Sequence, residues 1–198
     1  MRLRLFMERK INIRDAKLDD APFIARVVLA GIDMLDIDAV LSDEQRAIYE
    51  HLMDICRMDD TLYSYCNTRI AEINGNRVGA LVAYDGARYT ALRTKTFGLV
   101  QQSSGMDLSR NAMETGPSEF YLDSMAVLSD FRGLGIGKML MRDRMDYALR
   151  NGFQKVTLLV DKDKPRLQHY YQSLGFVFVE EMFVFGSWYN KLGKNNEE

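Results

Sequence analysis

The sequence has little that could staple a chain or hold a metal. Its 198 residues include two cysteines, Cys56 and Cys66, and two histidines, His51 and His169. Two cysteines do not make a disulfide framework, and both read as reduced thiols of a cytoplasmic protein. So few Cys and His side chains argue against a zinc site, and no metal is expected. Long apolar runs are missing too. None reaches the roughly 18 residues that a spanning helix needs, so no membrane partner is expected. The basic start, MRLRLFMERK, lacks the apolar segment and small-residue cleavage site of a signal peptide and reads as an exposed arm or an edge strand. The polar end, KNNEE, reads as a fraying terminus. Net charge is only -2, so there is no global electrostatic case for nucleic acid. Internal repeats and low-complexity stretches are absent.

What remains is an ordinary globular composition, 47% hydrophobic and 27% charged. The length suits a single domain over residues 1–198, able to bury a core without staples. Residues 11–16 alternate as a first strand. Asp19-Asp20 before Pro22 marks a helix start, with apolar periodicity to about Met34. Ser42 with Gln45 three residues on has capping-box spacing and opens a helix to about Met58. Asn74-Gly75 joins two strand-like runs as a tight hairpin. A helix is expected near 89–101, then a loop, then a strand from Ser118 to Leu128. A helix follows from Gly135 to Asn151, stopped by Gly152. After it come a strand over 155–160, a short helix from Pro165 to Leu174, and two final strands, 176–180 and 182–188. This order predicts an α/β fold: a mixed, largely antiparallel sheet of about seven strands with helices on both faces.

The chemistry centres on Arg132-Gly133-Leu134-Gly135-Ile136-Gly137-Lys138, between a strand and a helix. Alternating glycines let the backbone approach a ligand and take positive φ. Successive N–H groups can then converge on an anion at the helix N-terminus. Arg132 and Lys138 add positive charge, so a phosphate or pyrophosphate is the natural guest. The pattern GxxxxGK[ST] is absent, and G-x-G-x-G differs from the dinucleotide fingerprint G-x-G-x-x-G.

Together with Tyr171-Gln172-Ser173-Leu174-Gly175-Phe176, this loop resembles the GNAT superfamily of N-acetyltransferases. There a strand ending in an Ala-Val-like pair, here Met125-Ala126-Val127, leads into [Arg/Gln]-x-x-Gly-x-[Gly/Ala]. A Tyr-x-x-x-Gly-Phe element follows later. The resemblance is specific over about 118–180. Residues 20–70 and 88–116 fall where such proteins vary and build the acceptor side. The superfamily's Asn-x-x-Ala-x-x-x-Tyr helix is altered here: Lys164 and Leu167 stand at the asparagine and alanine positions.

The resemblance implies acetyl-CoA as cosubstrate and direct attack by an amine acceptor, a small molecule or a peptide, on the thioester. Backbone groups of Arg132, Gly133, Leu134, Gly135, Ile136, Gly137 and Lys138 would hold the pyrophosphate. The strand end at Met125, Ala126 and Val127 would pair with the pantetheine arm. Tyr171 would protonate the leaving thiolate. Asp123 shares strand parity with Met125 and Val127 and is the candidate base, with Glu119 second; both would face the same side if no bulge intervenes. His51, His169, Cys56, Cys66 and the methionine face Met139, Met141 and Met145 read as surface or packing residues. Acidic residues outnumber basic ones between Asp33 and Asp60 and suggest a cationic acceptor. The strands around FVFGSWY suggest pairing into a homodimer. Two other readings share the loop: a regulatory domain that holds acetyl-CoA without turnover, and a nucleotide-binding protein.

Overall fold

The computed structural model describes residues 10–195. The first nine residues of the expected N-terminal arm and the last three of the expected fraying end lie outside that range. Lys194 and Asn195 do not fray: they pair with Val156 and Lys155.

In chain order the elements are β1 (Ile11–Asp15), α1 (Ala21–Gly31), α2 (Asp43–Arg57), β2 (Thr68–Ile73), β3 (Asn76–Asp85) and α3 (Tyr89–Ser104). There follow β4 (Glu119–Val127), α4 (Ile136–Arg150), β5 (Lys155–Asp161), α5 (Pro165–Ser173), β6 (Val177–Val184) and β7 (Ser187–Asn195). The strands form one seven-stranded sheet in the order β1-β2-β3-β4-β5-β7-β6. Among the described residues, only β4 and β5 pair in parallel. Helices α1, α2 and α3 close one apolar layer with Ile70, Val82 and Tyr84. Helices α4 and α5 close the other with Leu81, Leu122 and Leu158. No helix among the described residues is long and apolar enough to cross a membrane.

Local signals explain most boundaries. Ser42 accepts from the Gln45 N–H at 3.2 Å and donates its own N–H to Gln45 Oε1 at 3.0 Å, so the capping box opens α2. Asn74 and Gly75 both take positive φ, 52° and 76°, which matches the twist of the β2–β3 hairpin. The acidic start of α1 works differently from expectation. Asp20 precedes the helix, but its side chain does not cap it. The carboxylate is 1% exposed and accepts from Arg14 at 2.6 Å, from the Lys17 N–H at 2.7 Å and from Arg77. Burial alone would raise its pKa; these three donors outweigh burial and hold it down at about 2. Helix α1 also stops at Gly31, short of Met34.

Two corrections bear on the site. The final strands do not break at Glu181. Strand β6 runs on to Val184, and the turn is Phe185-Gly186, with φ of 50° and 82°. A phenylalanine in a left-handed turn carries no sequence signal. It is held there by the loop after α3, where Asn111 Oδ1 accepts from its N–H at 2.7 Å. The second correction is a bulge in β4. Leu81 pairs with Met125 and Ala83 with Leu122, so Val82 alone faces both Asp123 and Ser124. Strand parity flips there. Leu122, Met125 and Val127 all face the α4 layer, while Asp123 turns to the α1 layer and bonds Tyr84.

Candidate active site

The glycine loop forms a nest of donors. Gly133 and Gly135 both take φ of 78°, and Gly135 precedes the first turn of α4. An L-residue enters this left-handed region only at a cost, so backbone shape favours glycine here. The first protein acceptor for an N–H in this run serves Met139, which donates to the Gly135 carbonyl at 3.0 Å. Among the described residues, the N–H groups of residues 133 to 138 meet no acceptor in the chain, as a helix N-terminus demands. Six convergent donors with the positive end of a helix dipole suit an anion. The Ile136 side chain is buried in the core, so that residue offers only its backbone; Leu134 and Lys138 point outward. Arg132 returns over the strand, donating to the Val127 carbonyl at 3.1 Å and to Asp36 at 3.0 Å.

Beside the nest, the sheet opens. Strand β4 pairs with β5 only over Glu119, Phe120 and Tyr121, yet β4 runs on to Val127 and β5 to Asp161. Past Tyr121 the two strands splay apart. The backbone of Met125, Ala126 and Val127 keeps its β3 partners on one edge and is free of β5 on the other. A cleft of about 710 Å³ lies along this edge, lined by Met125, Ala126, Val127, Arg132, Lys164 and Leu167 with Asp33 and Asp36 opposite. Leu167, where the superfamily pattern has alanine, thus faces the cleft. Lys164, at the asparagine position, pairs with Asp33.

Tyr171 sits at the apex of the wedge. With Asp123, Leu158, Leu159 and Met141 it lines a gap of about 10 Å³ between the splayed strands. Its ring packs edge-on against Phe176 at 6.2 Å, and its hydroxyl has no hydrogen-bond partner among the described residues. Burial, then neighbouring Tyr170, pushes its pKa up to about 12, so the phenol keeps its proton at neutral pH.

The structure brings Asp123 to this apex and leaves Glu119 away from it. Glu119 begins β4, about 20 Å from Met125 at the ~3.3 Å rise of a strand. Its Oε2 accepts from Thr115 at 2.9 Å, Thr157 at 3.1 Å and Lys191 at 2.9 Å. Burial opposes ionisation there, but Lys191 and the two hydroxyls win and lower its pKa. Asp123 accepts from the Tyr84 hydroxyl at 2.6 Å and from Ser124 at 2.7 Å. Burial raises its pKa against those two bonds. Sequence reasoning missed its neighbour Glu114, which accepts from Tyr89 at 2.9 Å and Tyr121 at 2.8 Å. Burial, then the charge of Asp123, pushes Glu114 up to about 7. The rings of Tyr84, Tyr89 and Tyr121 pack within 6.5 Å of one another and join the two half-buried carboxylates into one cluster. No motif announces Glu114, because it lies in an irregular loop between α3 and β4.

Three acids of the stretch from Asp33 to Asp60 lie at the rim of the cleft and are paired there. Asp33 pairs with Lys164, Asp36 with Arg132, and Asp38 accepts the Ser129 N–H at 2.8 Å. These acids tie the loop after α1 to the rim of the cleft. Met141 is buried and Met145 packs against the same core, while Met139 is 37% exposed. Cys56 is buried and Cys66 exposed, both as free thiols. His169 bonds the Pro165 carbonyl at 2.6 Å. Among the described residues, no three His, Cys, Asp or Glu side chains are placed to share a metal ion.

Comparison with known proteins agrees with this geometry. The Acetyltransferase (GNAT) family matches residues 34–176. A solved structure described as an acetyltransferase superposes with a TM-score of 0.73 at 30% identity, covering 94% of this chain and 100% of the other. An N-acetyltransferase from Staphylococcus aureus Mu50 superposes with a TM-score of 0.72 at 20% identity, over 92% of this chain and 99% of the other. The ribosomal-protein-S18-alanine N-acetyltransferase of Escherichia coli superposes at 0.58 and 12% identity, over 96% of each chain. These last two share the fold. No curated protein matches in sequence.

Proposed function

Taking as premise that the chain belongs to the GNAT acetyltransferase family and is an acyltransferase, we propose that it moves an acetyl group from acetyl-CoA to a primary amine of a small molecule or peptide. One observation carries the reading: six unpaired backbone donors, residues 133 to 138, stand beside the free edge of β4, with Tyr171 at the apex between them and the acceptor side. A pyrophosphate suits the nest, and an amide-bearing arm suits the open edge at Met125, Ala126 and Val127. Arg132 supplies charge to the phosphates, exchanging Asp36 for them. Fixed donors of this kind need no reorganisation when the substrate arrives.

In the reaction the amine nitrogen bonds the acetyl carbon and the carbon–sulfur bond breaks. Asp123, ionised, takes a proton from the amine directly or through water. Tyr171 hydrogen-bonds the departing sulfur and gives it a proton as the carbon–sulfur bond breaks; a thiolate, at about 8.5, holds a proton less tightly than this phenolate, at about 12, so water returns a proton to Tyr171 and the gain comes from the hydrogen bond held through the transition state. Glu119 is left as a structural ion-pair member. Free thiols at Cys56 and Cys66 support placing the enzyme in the cytoplasm. The outer edge of β6, last in the sheet, supports pairing of two copies into a homodimer.

The test is release of free CoA from acetyl-CoA by the purified protein, with and without a panel of primary amines, and the mass of the amine product. Amine-dependent release with an added acetyl group on nitrogen supports the reading. Tight acetyl-CoA binding with no turnover of any amine would favour the non-catalytic regulatory domain instead.

A further inference from the structure

The layer formed by α1, α2 and α3 is not fully packed. A cavity of about 360 Å³ opens among the three helices, walled by Leu29, Ile32, Met34, Ile48, Leu52 and Val100. Among the described residues, no Asp, Glu, Lys or Arg lines it. Its mouth carries apolar side chains in water: Ile32 is 50% exposed, Met34 44%, Ile48 40% and Met106 57%. In its wall, His51 Nε2 is buried with no hydrogen-bond partner among the described residues. A buried polar atom left unpaired costs about 1–3 kcal/mol, which a turn of the ring that presents Nε2 to a hydrogen-bonding group in the cavity would recover.

Two features connect this cavity to the chemistry. The loop after α1 is a shared wall: Ile32 and Met34 line the cavity, while Asp33, Leu35 and Asp36 line the cofactor cleft. At the inner end Tyr63 lines the cavity and lies within the electrostatic reach of Asp123 and Glu114. The cavity thus shares this loop with the cleft, and neither Asp123 nor Glu114 is among the described residues that line it.

We propose that this cavity is the acceptor subsite, and that the acceptor is an amphiphilic primary amine. Its neutral apolar body, aliphatic or aromatic, fills the cavity, and one hydrogen-bonding group on that body meets His51 Nε2. The amine projects past Tyr63 and the shared loop toward Asp123. The inference rests on the N-acetyltransferase reading above and narrows it. The volume holds about a dozen non-hydrogen atoms, at ~30 Å³ for each water-sized group. An uncharged wall disfavours polyamines, whose second ammonium would be buried without a partner. Of the acids that composition suggested for a cationic acceptor, the two that line the cleft, Asp33 and Asp36, are already paired with Lys164 and Arg132.

The experiment compares ethylamine, hexylamine, phenethylamine and spermidine by kcat/KM, and titrates phenethylamine calorimetrically into the protein with CoA present. Each buried methylene is worth ~0.8 kcal/mol, about a fourfold gain. We expect kcat/KM to climb by that factor per methylene from ethylamine to hexylamine, and spermidine to be poor. Ile48→Trp, at the mouth, should flatten the climb and abolish phenethylamine binding while acetyl-CoA still raises Tm; Val100→Phe is the second variant if the first does not fold. Turnover of amines with no chain-length gradient, or a preference for spermidine, would overturn the acceptor subsite and leave the acetyltransferase reading standing. No turnover of any amine would overturn the acetyltransferase reading; phenethylamine binding that Ile48→Trp abolishes would then still mark a ligand cavity, and no binding by the wild type would end that as well.

Discussion

At the scale of single residues, the site is set by which charges lose their water. Glu114 and Asp123 are enclosed together, and Glu114 titrates at about 7 rather than its ordinary 4.5. If Asp123 accepts the amine proton, kcat/KM should rise with pH as Asp123 ionises, above the ordinary carboxylate range because burial raises its pKa. Glu114→Gln removes the neighbouring like charge and should move that rise to lower pH. A pH–rate profile of both proteins checks this; an unmoved profile would separate Glu114 from the base. Stability follows the same titration. The folded-state pKa of Glu114 lies above the unfolded value, so its contribution is full below about 4.5 and lost as pH rises through about 7. Tm should therefore decline less over that window in Glu114→Gln than in the wild type. Asp20 has the opposite sign. Its pKa is lowered from 3.8 to about 2, so its contribution holds above 3.8 and disappears as pH falls through about 2. Asp20→Asn leaves Arg14 and Arg77 without their shared carboxylate. We expect a loss of about 2–3 kcal/mol at neutral pH by urea unfolding, below the 3–5 of a fully buried pair because both arginines keep some water contact.

At the scale of elements, the parts that carry local physics were legible and the parts that depend on a neighbour were not. Capping at Ser42, the Asn74-Gly75 turn and the glycine nest all follow from residues close in sequence. The β4 bulge does not. It depends on how β3 aligns with β4 on either side of Val82, and on α1 coming close enough that a methyl on Gly31 would stand 3.0 Å from Ser124. Parity counting put Asp123 beside Met125 and Val127; the bulge turns it to the opposite layer, where the tyrosines are. Glu114 was illegible for a related reason, since an irregular loop has no period to read. The Phe185-Gly186 turn is fixed by Asn111, far away in sequence. The nest itself makes a prediction at this scale. Gly135→Ala places an L-residue at φ near 78°, which costs ~1–2 kcal/mol and disturbs the first turn of α4. The KM for acetyl-CoA should rise about tenfold in steady-state kinetics, with kcat changing much less.

At the scale of the whole molecule, one sheet divides two tasks. The α4 and α5 layer carries the nest and Tyr171; the α1, α2 and α3 layer carries the carboxylate cluster and the apolar cavity. The wedge between β4 and β5 is where the layers communicate. A ligand bridging them binds only the folded chain, so acetyl-CoA at 100 times its Kd should add about 2.7 kcal/mol of stability. For a domain of this size that is a Tm increase of roughly 5–10 °C in a thermal-shift scan, with ATP and NAD leaving Tm unchanged. The central claim is that the apex tyrosine hands a proton to the thiolate while the nest holds the phosphates. It is tested most directly by amine-dependent CoA release in the wild type and in Tyr171→Phe. The account expects the substitution to lower kcat by about 100-fold, with the KM for acetyl-CoA within about twofold of wild type. Equal kcat values for the two proteins would contradict it.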